Sequence, residues 1–499
     1  MKKLIEMKKY ILIMMIALFT VSCTEDVMDR INEDHQNPPV DKVPARLQIT
    51  DGIMASAFTT TSGAYAWYLA SFTEQIFGCG NNQLMKVELR QPVETSASTT
   101  YNNEWNGTYS NLLNLKQIID KCSDEEGPDF GQDDVKGMAQ VLFALNFGIL
   151  TDLHGDISCF DALLGLANLQ PKVDKQERIY KDCVIKYLDD AIVSLQAAKA
   201  AKMKNAGSQD ILYKNDLTKW IASAYALKAR FLLHTAYVNS DVYTEVLAAA
   251  NDAIANGFNG MDLSVFDGDA AVNPWTAFFW SRLYSASSRT VYDLMQERND
   301  GRVDVYVADM FGTGLQIATP GNETQARSTE VLNAPAWLDD GSASIHLMSK
   351  SELYFIIAEI QSRLGQDYTS AFETAVSASF DDYSNFGEVG DAGEYIESLA
   401  DRLAADPLKE IMTQKYLSQC RDEQIEAYND IRRCIALNPA GESLIKLKNP
   451  MNTQNGQNYW PLRLPYGNSS VLANPSIKAL YGNGSYIFSE KIWWAGGTR

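Results

Sequence analysis

The sequence predicts a mainly α protein in which a tetratricopeptide-like scaffold of helical hairpins supports a large, irregular, loop-rich half. Three observations predict it. Apolar residues recur at helical spacing in several separate segments, these segments come in neighbouring pairs rich in small residues, and long stretches rich in Gly, Asn, Ser and aromatics lie between them. At 499 residues and 46% apolar composition the chain can bury a large core.

Taken in order, Val135, Met138, Leu142, Leu145 and Ile149 form one apolar stripe. Tyr180, Val184, Leu188, Ile192 and Leu195 form a second. Asp216 is placed to cap a third helix, with Trp220, Ala224, Leu227, Phe231 and His234 on one face. Val242, Val246, Ala249 and Ala253 make a short fourth helix. Leu353, Ile356, Ile357, Ile360 and Leu364 make another, and Ile411 to Cys434 reads as one or two more. Ala222, Ala224, Ala226 and Ala229 permit close helix packing. The consensus of such repeats does not recur at a fixed period, so pairing rather than repetition carries this expectation. Residues 46–499 are read as a single domain, with helical repeats mainly within 133–256 and 350–436. Segments 46–132, 257–346 and 438–499 are expected to be irregular and to face the ligand.

The N-terminus carries a leader. Lys2, Lys3, Lys8 and Lys9 precede an apolar run from Tyr10 to Val21, too short to span a membrane as a helix. Ser22 then precedes Cys23, as lipoprotein processing requires, although Thr20 replaces the usual aliphatic residue. Residues 1–22 are therefore expected to be a signal peptide, with Met1 or Met7 as its start. Cys23 is expected to carry lipid, and 23–45 to be a tether. Acyl chains contribute about 0.8 kcal/mol per buried methylene, so two or three hold a protein on a bilayer.

The formal net charge of −20 argues against nucleic-acid binding and against docking on anionic lipid by charge. The remaining cysteines, Cys79, Cys122, Cys159, Cys183, Cys420 and Cys434, form no disulfide framework and no zinc pattern. An isolated disulfide and buried thiols both stay open.

Several short motifs run in one order along the chain. They are Ile31-Asn32-Glu33-Asp34-His35-Gln36-Asn37-Pro38, His154-Gly155-Asp156-Ile157-Ser158 and the helix from Trp220 to His234. Asn299-Asp300-Gly301-Arg302, Ser351-Glu352 to Glu359, Gln414-Lys415-Tyr416 and Glu426 to Arg433 follow. Arg463-Leu464-Pro465-Tyr466, Asn474-Pro475 and Lys491 to Trp494 complete the series. In this order, behind a lipoprotein leader, the chain resembles the SusD/RagB family of nutrient-binding outer-membrane lipoproteins of Bacteroidetes, in its SusD-like 2 branch. Ser158 and Gly301 depart from the prolines common there. The resemblance implies a SusD-like fold and a non-catalytic role on the cell surface. There the protein captures a glycan and passes it to a SusC-like TonB-dependent outer-membrane transporter. Glu25 and Asp26 fit the acidic residues that follow the lipidated cysteine in exported members. Peptide capture, a transporter lid with little affinity of its own, and a surface hydrolase stay as alternatives. No cofactor is implied, and calcium on the loops is left open.

Glu352, Glu359, Glu426, Asp430, Arg432, Arg433 and Arg463 are read as structural charges, His154 and Asp156 as turn residues, and His234 as a core histidine. Short motifs for nucleophile elbows, phosphate loops or zinc proteases are missing. Exposed aromatic rings stack on sugar faces while Asn, Asp or Gln fixes hydroxyls. The dense groups are Tyr65, Trp67, Tyr68, Gln75 and Phe77; Asn81, Asn82 and Gln83; Trp275, Phe278, Phe279, Trp280 and Tyr284; and Trp337 with Asp339 and Asp340. From these, Trp67, Asn81, Trp275, Trp280 and Trp337 are the expected ligand contacts. Tyr101, Trp105, Tyr109, Trp493 and Trp494 are assigned to the core.

Overall fold

Helix α1 (Ala45–Ala55) continues into a π-helical turn, Ser56–Thr61, and is followed by α2 (Ala64–Phe72). The computed structural model describes Met1 and residues 42–80, 83–91, 96–321, 331–448, 453–454, 457–458 and 460–499. Met1–Pro44 and Ala45–Arg499 are separate compact units, and everything below belongs to the second.

The scaffold is a stack of consecutive helices. It comprises α3 (Asn102–Ser123), α4 (Asp133–His154), α5 (Lys186–Ala200), α6 (Leu217–His234) and α7 (Tyr243–Ala255). Each packs on the next, and α1 packs on α3 and α4. After the insertion, which contains α8 (Pro274–Arg282), the stack resumes with α9 (Lys350–Arg363) and α10 (Thr369–Tyr383). It ends with α11 (Pro407–Ser418) and α12 (Gln424–Leu437). Helix α9 packs on α6, α7, α10 and α11, so the repeat stack is continuous across the insertion. The fold is mainly helical with a few short strands, as the sequence predicts.

Local chemistry explains the elements. Asp133 and Asp134 favour the positive N-terminal end of α4. Helix α4 is buried on nearly every side, as befits the centre of a bundle. Gly148 lets α6 approach it, because a Cβ there would lie 2.3 Å from the Phe231 ring. Gly155 ends α4 at φ +82, where a Cβ would also stand 2.7 Å from Arg463 Nη2. Asp216 caps α6 by accepting from Thr218 N and Lys219 N.

Strands hold the insertion in place. β1 (Phe77–Gly78) pairs with β3 (Ser285–Ala286). β2 (Met261–Leu263), just after α7, pairs antiparallel with β4 (Ile345–Met348), just before α9. The insertion thus leaves and returns at one place, which keeps α7 beside α9.

Segment 46–132 is not irregular: it holds α1, α2, the short helix Gln83–Glu88 and α3. The residues of α2 are almost all buried, so no polar face marks its period. Segment 257–346 also holds α8 and the helix Arg289–Gln296. The six cysteines among the described residues are buried free thiols.

Several charged residues of the core pair with one another, while Arg432 and Arg463 donate to backbone carbonyls instead. Arg230 Nε donates to Glu352 Oε1 at 2.7 Å, and Arg230 Nη2 reaches Glu352 Oε2 and the Leu347 carbonyl. His234 lies between Asp152 Oδ2 at 3.0 Å and Glu426 Oε2 at 2.9 Å. Tyr180 and Trp494 both donate to Asp152 Oδ1. Arg433 bridges Glu359 at 2.5 and 2.6 Å and Asp430 at 2.6 Å, and Lys415 meets Asp430 at 2.7 Å. The structural reading of these motif residues therefore holds. Ser349-x-x-Glu352 resembles a capping box, yet only Ser349 caps α9, and the Glu352 carboxylate is taken by Arg230.

Removing one buried partner, as in Arg230→Met, should lower stability by about 3–5 kcal/mol in urea unfolding, and Arg230→Met/Glu352→Leu should recover a large part of it. Burial opposes the charge on His234, but Asp152 and Glu426 outweigh it and raise its pKa from 6.5 to about 9. The protonated ring therefore stabilises the fold fully below about pH 6.5, and this contribution disappears as pH rises through about 9. The stability difference between the wild type and His234→Gln should shrink by about 3 kcal/mol between pH 6 and pH 10, measured by urea unfolding at each pH.

Candidate functional site

Helix α2 is pinned at both ends. The Tyr65 hydroxyl and His154 Nε2 share a hydrogen bond of 2.9 Å. Burial keeps His154 neutral, lowering its pKa to about 3. Past the other end of α2, Gln75 Nε2 donates to the Tyr416 carbonyl at 2.9 Å, and the Tyr416 hydroxyl donates to the Thr73 carbonyl at 2.7 Å. Helix α12 packs along α2 as well. Helix α8 is fixed from the other side. Asn273 caps it, Pro274 starts it, and Trp275 Nε1 donates to Ser62 Oγ at 2.7 Å.

These constraints bring Trp67 of α2 against Phe278 of α8, their rings stacked with centroids 3.9 Å apart and planes within 20°. Both rings line an open cleft of about 400 Å³, together with Ala64, Tyr68 and Leu84. The rest of the described lining is polar: Gln83; Thr99 and Thr100 from the turn before α3; and Asn103 and Glu104 from its first turn. Burial raises the Glu104 pKa from its ordinary value. The Trp67 indole N–H is buried and has no hydrogen-bond partner among the described residues. Flat aromatic surface beside several hydroxyl-matching groups suits an uncharged, polyhydroxylated ligand.

The five expected contact residues fall in different places. Trp67 lines the cleft. Trp275 lies behind it, 4% exposed, edge-to-face with Trp67 at 6.0 Å. Trp280 is 47% exposed, but it stands two residues from Phe278 on another face of α8 and donates to Asp339 Oδ1 at 2.9 Å. Trp337 is a core residue at 5% exposure, packed on Tyr383, Phe386 and Tyr306. Asn81 and Cys23 lie outside the described residues, as does most of the tether. Thr99, Thr100, Asn103 and Glu104 were not singled out from sequence. They sit in the turn before α3 and in its first turn, and only the packing of α2 on α12 and α8 against Ser62 reveals what they face.

A second cleft, of about 380 Å³, lies beside β2, β4 and α10. Some of its charges pair: His346 meets Asp262 at 2.5 Å and Asp382 at 3.0 Å, and Arg421 behind it meets Asp382 at 2.6 Å. No aromatic wall lines it. Among the described residues no group of three or more His, Cys, Asp or Glu could hold a metal ion, and no helix is long and apolar enough to cross a membrane.

Fold and cleft together define a helical-repeat protein that carries an open, aromatic-lined cleft on its helical stack. The chain matches the SusD-like family model, described as starch-binding and associating with the outer membrane, over residues 65–466, and it belongs to this SusD-like family. It is similar to a SusD/RagB family protein from Bacteroides thetaiotaomicron VPI-5482, at 34% identity over 92% of this chain and 100% of that one, with a TM-score of 0.81. A chitin-binding protein matches at 20% identity over 91% of this chain and 99% of its own, with a TM-score of 0.71. A chitin-binding SusD homolog from Flavobacterium johnsoniae matches at 18% identity over 90% and 98%, with a TM-score of 0.65. The last two show likeness of fold. No curated protein matches the chain.

The different placements separate binding from packing. Trp67→Ala should weaken binding of a saccharide ligand by about tenfold or more, with a loss of stability smaller than that of Trp337→Ala because its ring is only half-buried. Trp337→Ala should instead lower stability by about 3–5 kcal/mol, as large core truncations do. Calorimetric titration and thermal unfolding of both variants check this.

Proposed function

We propose that this chain is a cell-surface lipoprotein that captures an extracellular oligosaccharide. It holds the ligand in the cleft between α2, α3 and α8 and delivers it, unhydrolysed, to a SusC-like TonB-dependent transporter in the outer membrane. The observation that carries this reading is one cleft lined by the aromatic rings of Trp67, Tyr68 and Phe278 together with Gln83, Thr99, Thr100, Asn103 and Glu104. Apolar contact with a sugar-ring face and hydrogen bonds to its hydroxyls are what such a lining offers.

Membership of the SusD-like family supports an outer-membrane setting, and two solved proteins of the same fold are described as chitin-binding. Anchoring through Cys23 rests on the leader sequence alone. Glycoside hydrolysis uses two carboxyl groups flanking the scissile bond. Among the described lining residues Glu104 is the sole carboxylate, which favours capture over cleavage.

The test is calorimetric titration of the lipid-free chain, beginning at Thr24, with a panel of polysaccharides, oligosaccharides and peptides. Saturable binding to one glycan class, with no new product on chromatography, is expected. Saturable binding to peptides alone, or release of shortened glycans, would contradict the proposal.

A further inference from the structure

The charge of the cleft is one-sided. Among its described lining residues stand one carboxylate, Glu104, and no Lys, Arg or His. Resting on the glycan reading above, we infer that the cleft selects uncharged saccharides and rejects those bearing carboxylates or sulfates, and that Glu104 is the residue that sets this choice.

The selection is electrostatic. Glu104 is half-buried at the first turn of α3, where water screens it less than at an open surface. An acidic sugar entering here would meet a like charge at short range, with no cation among the described lining residues to compensate it. Either the two charges repel, or one carboxyl group must take up a proton. Burying an unpaired charge carries a penalty of its own. The surrounding field adds to this, since the whole chain carries a formal net charge of −20. An uncharged sugar meets none of these penalties. Its hydroxyls can donate to the Glu104 carboxylate, and hydrogen bonds to an ionised acceptor are among the stronger ones.

Asn103 and Gln83 could satisfy sugar hydroxyls without any charge, so they do not discriminate in this way. Glu104 alone does. Glu104→Gln keeps the shape and hydrogen-bonding capacity but removes the charge, so it isolates the local effect. The field of the whole chain barely changes.

The test uses a neutral oligosaccharide that the lipid-free chain binds, in three forms: native, oxidised at C6 to the carboxylate, and oxidised and then methyl-esterified. The ester controls for the lost primary hydroxyl. Calorimetry on the wild type should show the acid binding about tenfold or more weaker than the ester. In Glu104→Gln, whose melting temperature is checked first, the acid should approach the ester to within about threefold, at both low and physiological salt. Equal affinity for acid and ester in the wild type would overturn the inference while leaving the glycan reading intact. So would a gap that Glu104→Gln does not close. A wild-type chain that binds none of the neutral glycans would remove the glycan reading itself, and this inference with it.

Discussion

The structure depends on a set of buried charges that must meet. Arg230 on α6 and Glu352 on α9 lie 122 residues apart in sequence and form a two-point ion pair that water does not reach. His234, one turn further along α6, joins Asp152 on α4 to Glu426 on α12. Burying such pairs contributes little net stability, because each ion gives up its water. Their effect is on register. A helix that slipped by one turn would strand an arginine or a carboxylate in apolar surroundings, and that alternative is costly. The lattice thus selects one alignment of α4, α6, α9, α11 and α12.

That alignment reaches the cleft through few steps. Helix α12, held by Glu426, Asp430 and Arg433, packs on α2. His154, the last residue of α4, holds Tyr65 near the start of α2. Tyr416 of α11 holds the segment just after α2 through Thr73 and Gln75. Trp275 ties α8 to Ser62, and Trp67 and Phe278 come into contact as a result. The aromatic wall stands on helices, each fixed by hydrogen bonds outside the cleft. A site built this way loses little conformational freedom when a ligand arrives.

Much of the scaffold was legible in the sequence. The stripes of α4 through α7 and α9 could be read because these helices keep enough apolar periodicity, and Asp216 caps α6 as its position suggested. Helix α2 could not be read: its sequence Ala64-Tyr65-Ala66-Trp67-Tyr68-Leu69-Ala70-Ser71-Phe72 has almost no polar face, and periodicity needs contrast. The site was legible only in part. Residue type marked Trp67, Phe278, Tyr68 and Gln83 as candidates. It could not separate Trp67, which lines the cleft, from Trp337, which fills the core, since both are large aromatics in loop-rich surroundings. Glu104 and Asn103 carried no pattern of their own, and their place in the cleft lining follows from where the first turn of α3 falls in the fold.

The most direct test of the account is a crystal structure of the lipid-free chain grown with a saturating oligosaccharide. The account predicts a sugar ring stacked on Trp67 or Phe278, with hydroxyls within hydrogen-bond distance of Glu104 or Asn103. A sugar seated instead in the cleft around His346 and Asp382, with the Trp67–Phe278 wall empty, would contradict it.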